Sequence, residues 1–448
     1  MLNCYDFLIK EPHKKLTRQE KDIYRAWLEG NYKKSHLQTL SGESVSIVSP
    51  GKRNELEGPD FYDAMVIIGD QLMRGKVEIH RLNREWYEHG HHQDDNYNDV
   101  VLHVVTHSQK EQDIITANDK KLPVLVLEEY DIPPLKYKPC QDWSDVNSTA
   151  VLSIMDEYGT QRFNRKSLIL KSDITDKDAE EVLYAGIHDV LGYSKNRPAF
   201  AELSKHLPIK RVYEILNELQ ENRKIPGLEA IFLGTAGLLS DKNKKYFSTQ
   251  RYYQDIREMW LELRSAYNLA EQTINWHFVK SRPANHPHLR ILSMVQILNN
   301  FWPNTPAQTW ISFISRKPHI DEIRNWVEQY FQKPAGLWQN HPLLPKQNRR
   351  KLMGNSRGRD LLSNYLLPFV RANAILQRDD AMVDYLVSIF RQVKRGAMPG
   401  MIRKMLGRFN MKSSDVENNN VLQGCIEFYR NWCDMELCKL CPVREYAN

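Results

Sequence analysis

The hydrophobic period of the chain changes once, near residue 140, and that change limits the architectures open to it. Before it, apolar residues alternate as they do along strands. Residues 61–68 (FYDAMVII) are rich in strand formers, Gly69-Asp70 is a hairpin signal, and residues 75–80 alternate again. In that second strand Val77 and Ile79 share one face, and Lys76, Glu78 and His80 share the other. Residues 37–49 read as a hairpin about Ser41-Gly42, and residues 99–106 and 122–127 read as buried strands. One helix is expected here, over residues 16–30, with a Thr17/Glu20 capping box, Ile23 and Trp27 as its apolar stripe, and Gly30 as its stop. After the proline-rich break DIPPLKYKPC, segments such as DAEEVLYAGIHDVLGY and IKRVYEILNELQENR repeat at 3.6 residues. The reading is an α/β chain: a mixed-sheet domain over 1–135, a large, mostly α-helical domain over 145–424, and a Cys-rich tail over 425–448.

At 448 residues the chain is long enough for two or three domains with sizeable cores. No apolar run approaches the ~20 residues of a membrane span, and the N-terminus has no signal-peptide pattern, so a cytoplasmic protein without a membrane partner is expected. The net charge is only +6, but it is unevenly placed: residues 346–412 hold 15 Lys/Arg against 4 Asp. Such an excess suits a polyanion such as nucleic acid, or a solvated set of helices.

Six cysteines are present, four of them late in the chain: Cys425, Cys433, Cys438 and Cys441. Clustered cysteines in a reducing compartment point to metal rather than disulfides. Cys433, Cys438 and Cys441 are close enough in sequence to converge on one centre, with Cys425 eight residues upstream as the expected fourth ligand; Cys4 and Cys140 are the other candidates. Four thiolates suit Zn²⁺ or an iron–sulfur cluster.

Asp60 precedes the first strand of the expected hairpin and Glu78 lies within the second. Paired, the strands bring both carboxylates to one edge, where a cation such as Mg²⁺ or Mn²⁺ relieves their repulsion. His80 follows on the face of Glu78 and can orient water, act as a base or bind metal. The next segment, EWYEHGHHQDDNYN, adds His89, His91, Asp95 and Tyr97 as pocket candidates. His89-x-His91 in extended chain, joined by His80 or Asp95, makes a zinc-like set; packing of Trp86 and Tyr97 with histidines bonded to backbone is the plainer reading, and a middle one, which fits better, has the histidines line the same pocket and contact phosphate or the attacking water. His103, inside an apolar run, reads as a satisfied core residue.

These residues resemble a known pattern. A helix carrying Glu20, then Pro59-Asp60, then Glu78-Ile79-His80 at the end of the next strand, is similar to the PD-(D/E)xK nuclease superfamily over about the first 130 residues. His80 stands where that superfamily usually carries lysine, and Lys76 on the same face is a substitute. The resemblance implies a restriction-endonuclease-like domain. It makes Glu20, Asp60, Glu78, His80 and Lys76 catalytic, with Asp60 and Glu78 holding Mg²⁺ or Mn²⁺. Because some members carry a cluster beside the fold, it favours iron–sulfur over Zn²⁺ at the tail. Across nearly its full length, through segments such as GKVEIH, GYSKNRPAF, LEAIFLGTAGLL and SRPANHPHLRI, the chain also resembles a bacterial family of unknown function.

In the helical region, Lys195, Arg197, Arg282 and Arg290 lie in or beside loops that lead into helices, a place that suits phosphate; helix punctuation by Pro198, Pro283 and Pro287 is the alternative. LEAIFLGTAGLL has no phosphate-loop spacing, so its glycines read as tight helix packing. There is no nucleophile elbow and no dinucleotide fingerprint. Three functions compete: a metal-dependent nuclease acting on DNA or RNA, a non-catalytic nucleic-acid-binding protein on a degenerate nuclease scaffold, and a non-catalytic interaction protein.

Overall fold

The computed structural model describes residues 18–32, 37–54, 58–107, 113–127, 139–141, 143, 145–193, 195–247, 250–278, 286–334, 341 and 351–447. Thr17 and Cys4 lie outside them. The chain forms two compact units. One comprises Met155–Gly400 and Ser413–Gly424; the other runs to Ile154 and takes back Met401–Lys412 and Cys425–Asn448. The cysteine-bearing tail therefore belongs to the unit that contains the sheet.

That unit opens with helix α1 (Arg18–Glu29). Strands β1 (Val45–Ser49) and β2 (Lys52–Arg53) both pair antiparallel with β3 (Phe61–Ile68). Strand β3 turns at Gly69 into β4 (Gln71–Leu82), which pairs parallel with β5 (Val100–His107). A small hairpin of β6 (Ile114–Ile115) and β7 (Lys121–Leu122) leads to β8 (Val124–Val126), which lies parallel to β5. The path across the mixed sheet is β1-β3-β4-β5-β8. Strand β4 is longer than its alternation suggests, because a two-residue turn lets pairing begin at once: Ile68 lies opposite Gln71.

Both faces of the sheet centre are covered. Ile23, Tyr24 and Trp27 of α1 pack with Phe61, Val77, Ile79, Leu102 and Val104 on one side. On the other, Trp86 of the short helix α2 (Glu85–Glu88) packs with Tyr97, Val100, Val105 and Val124. Glu78 and His80 lie on this second face, in register with His103 and Val105. The face that alternation offered to solvent is thus buried, and its polar residues find partners in one another.

The other unit is helical. It includes α3 (Ser148–Asp176, which begins just before the boundary), α4 (Ala179–Leu191), α5 (Arg197–His206), α6 (Ile209–Glu218), α7 (Glu221–Thr235) and α8 (Gln250–Tyr267), followed by the apolar helix Pro287–Phe301 and others. Their apolar faces form one continuous core. His188 sits inside it, its Nδ1 3.1 Å from the Tyr184 carbonyl, and burial holds its pKa down at about 4. An unfolded histidine titrates near 6.5, so the unfolded chain takes the proton first. The stabilising contribution is full above pH 6.5 and is lost as pH falls toward 4. We expect ~2 kcal/mol of this unit's stability to disappear by pH 5 through this residue. Melting curves at pH 7 and pH 5 check it: His188→Phe should narrow the gap between them, and an unchanged gap would rule the mechanism out. No helix among the described residues is long and apolar enough to cross a membrane.

Candidate metal-binding site

The site is built on β4 and begins with two interlocked acids. The backbone N–H of Asp60 donates to Glu78 Oε2 at 2.9 Å, and Asp60 Oδ2 accepts the N–H of Ile79 at 2.9 Å. Each carboxylate therefore fixes the strand that carries the other. Tyr24 of α1 adds a hydrogen bond to the Asp60 carboxylate. Burial, with Asp60 and Glu78 nearby, drives the Tyr24 pKa well above its ordinary value, so the phenol stays protonated as the donor. Glu20 stands one helical turn before Tyr24 on the same side of α1. Tyr24 was missed in the sequence because it lies within the apolar stripe; its signal is the four-residue spacing from Glu20.

The free end of Glu78 points into a histidine cluster. Glu78 Oε1 is 3.2 Å from His80 Nε2 and 3.3 Å from His91 Nε2. His80 Nε2 is 3.1 Å from His89 Nδ1, and His80 Nδ1 is 2.9 Å from His103 Nε2. One ligand atom from each of His80, His89 and His91 falls within 4.8 Å of the others. Glu78, His80 and His91 are buried, whereas His89 is exposed and marks the solvent side.

The cluster is braced from behind. The His91 ring stacks on Tyr97 at 3.9 Å between centroids, and Trp86 meets the edges of His91 and Tyr97. Burial, with His91 nearby, lowers the His103 pKa to about 3, so His103 is neutral and one of its nitrogens can accept. With His80 Nδ1–H donating to His103 Nε2, the His80 Nε2 lone pair faces His89 and Glu78, the tautomer a metal ligand requires. His103 is thus more than a satisfied core residue: it orients the ring in front of it.

Other expected residues lie elsewhere. Lys76 donates to the Asn96 carbonyl at 3.1 Å and pairs with Asp99 at 3.6 Å. It lines an open groove with Tyr62, Arg74 and Lys120 rather than the histidine cluster. Asp95 is exposed and accepts from Asn98 at 3.0 Å, serving the turn that carries Tyr97. Arg197 is buried and forked onto Asp189, which also takes the Tyr365 hydroxyl. Arg290 is buried, donates to the Leu352 carbonyl at 2.6 Å, and lies 4.5 Å from the centroid of the Tyr193 ring, which Arg357 also approaches. Both arginines hold the helical core together, so neither offers its fork to an external phosphate. Lys195 is exposed; Arg282 lies outside the described residues.

The tail requires a correction as well. Cys425 is fully buried, with its thiol pushed up to about 12 by burial, and it does not line the cavity that Cys433, Cys438 and Cys441 share. Cys425 sits on the α-helix Asn419–Phe428, and a π-helical turn over Tyr429–Cys433 follows it; about two turns of helix put on the order of 10 Å of axial rise between Cys425 and Cys433, so a shared face does not bring their sulfurs together. Cys140 takes the place at the cavity instead. Burial pushes the Cys441 thiol up to about 11, and Cys438 and Cys140 are near enough to add to the shift.

The profile of one family, described as "Protein of unknown function (DUF2851)", matches residues 20–397. No curated protein and no solved structure matches the chain.

Proposed function

The chain belongs to this family of unknown function, and from that premise we propose that it is a metal-dependent nuclease, hydrolysing phosphodiester bonds of DNA or RNA at the centre on β4. The observation that carries the reading is the convergence of Glu78, His80, His89 and His91 beside Asp60 at one end of a mixed sheet. The α1–β3–β4 order and the Pro59-Asp60 and Glu78-Ile79-His80 pattern support it, as does the basic excess over residues 346–412.

The donor set narrows the choice of ion. Three imidazoles and one carboxylate oxygen suit a borderline divalent metal such as Zn²⁺ better than Mg²⁺, which prefers oxygen throughout; Mn²⁺, a harder ion that still accepts imidazole, stands between them. When bound, such an ion activates water and offsets charge developing on the phosphate. The residues of the chain have separate tasks. Glu78, His80, His89 and His91 would hold the ion, with Glu78, His80 and His91 on the buried side. His103 and Tyr97 fix the ring planes of His80 and His91. Asp60, anchored by Ile79 N–H and Tyr24, supplies the second carboxylate. His89, at the exposed edge, would close the ligand set on the solvent side.

The test is cleavage of mixed single- and double-stranded DNA and RNA with Mn²⁺, Zn²⁺ or Mg²⁺ added in turn. Cleavage should be greatest with Mn²⁺ or Zn²⁺, vanish in chelator, and fall by ~10²-fold or more in Glu78→Gln. Wild-type protein that cleaves nothing with any of the ions overturns the proposal.

A further inference from the structure

The sheet-bearing unit holds a second group of metal-ligating side chains, unconnected with the histidines. Cys140, Cys433, Cys438 and Cys441 line one small cavity, closed by Trp143, Phe409 and Trp432. They come from three separate pieces of chain: the turn Pro139–Gln141, the π-turn Tyr429–Cys433, and the turns about Cys438–Leu440 and Pro442–Tyr446. No carboxylate or imidazole shares the lining, so the donors offered are sulfur alone. Trp143 stacks on Phe409 at 5.8 Å and makes one wall rigid.

The segment carrying three of the thiols is held firmly to α1. Lys21 pairs with Asp434 at 2.6 Å, Arg25 with Glu436 at 3.3 Å, and Lys439 with Glu29 at 3.7 Å. Met435 and Leu437, between the cysteines, enter the core beside Ile23 and Trp27. Cys140 and the distant stretch that carries Cys433, Cys438 and Cys441 thus meet around an apolar hollow, a preorganisation that four unrelated core cysteines would not need.

We infer that Cys140, Cys433, Cys438 and Cys441 are the ligands of a thiolate-bound iron–sulfur cluster that clasps the tail to the sheet unit. Spacing favours this over a single zinc ion. A tetrahedral zinc site with ~2.3 Å Zn–S bonds brings sulfurs to ~3.8 Å of one another. Among the described residues, no three of these sulfurs share a 4.8 Å neighbourhood, whereas His80, His89 and His91 do. A cluster binds its thiolates to more than one iron, and so spans a wider set around a central cavity. The dry aromatic wall suits a centre that must be shielded from water and oxygen.

The experiment is anaerobic purification of the full chain from iron-replete cells, with metal and acid-labile sulfide analysis and a visible absorption spectrum. Iron and sulfide in comparable amounts, with broad visible absorption, are expected. Cys140→Ser should lose most of that absorption and iron, while Cys425→Ser keeps both. Colourless protein, one zinc without iron, or Cys140→Ser retaining a full cluster each overturns the assignment. The wild-type spectrum is decisive even if a variant fails to fold. The nuclease reading is read out separately, by cleavage with added divalent ion, and either result can fail without the other.

Discussion

Asp60→Asn is expected to lower metal-dependent cleavage by ~10³-fold while leaving the fold intact, the size of loss seen when a group facing developing charge is neutralised. The substitution keeps the shape. An amide oxygen can still accept from Ile79 N–H, and the backbone N–H of residue 60 still donates to Glu78 Oε2. What is lost is one negative charge beside the strand that carries Glu78, together with a good acceptor for the Tyr24 hydroxyl. A melting midpoint within a few degrees of wild type beside the activity loss would place the effect in chemistry. Full activity would remove Asp60 from the mechanism. Lys76→Ala sets the scale: its ammonium is engaged by Asn96 and Asp99, so the rate should change by less than ~10-fold.

Gly234→Val should cost ~3 kcal/mol or more and lower the melting temperature of the helical unit by several degrees. Gly234 lies in the last turn of α7, directly under Trp260 of α8. A Cβ built there falls 2.1 Å from the indole Cδ2 and 2.5 Å from Cε2 and Cε3. Trp260 is itself buried, with Tyr253, Ile256 and Leu263 on the same side of α8, so the ring cannot swing away without opening the core. Overpacking of this kind typically costs 1–3 kcal/mol and more against a rigid ring. The contrast is Gly407→Ala, in the exposed part of helix Gly400–Arg408, where an added Cβ meets nothing within 4 Å. There the gain in helix propensity should stabilise by ~0.5–1 kcal/mol. Equal melting temperatures for Gly234→Val and wild type would refute the packing argument.

Both expectations show which parts of the molecule a reader of the sequence could reach. The glycines of LEAIFLGTAGLL were legible as packing residues because no phosphate-loop spacing surrounds them, but the partner, Trp260, lies 26 residues away on another helix and carries no local signal. Likewise the hairpin at Gly69-Asp70 is a local event, and the pairing it starts runs back to Phe61 opposite Val77, which brings Glu78 beside Asp60. The arginines at 197 and 290 were misleading for the converse reason: a basic residue at a helix start looks the same in sequence whether solvent or Asp189 awaits it.

The sequence by itself determined the period of each segment, and with it the strands of the first part, the helices of the second, and the placing of Glu78 and His80 on one face of β4. Those features rest on interactions between residues near one another along the chain, where side-chain geometry repeats at 2.0 or 3.6 residues. Tertiary structure alone decided three things. It covered the polar face of β4 with the Trp86–Tyr97 segment, so that histidines 80, 89, 91 and 103 meet. It returned the C-terminal tail to α1, through ion pairs spanning more than 400 positions. And it set Cys140 rather than Cys425 at the thiol cavity, because Cys425 is buried about two helical turns before Cys433 while the turn Pro139–Gln141 is brought to the cavity from far away in the sequence. Each depends on which distant surfaces bury one another, and no period within a single segment encodes that choice.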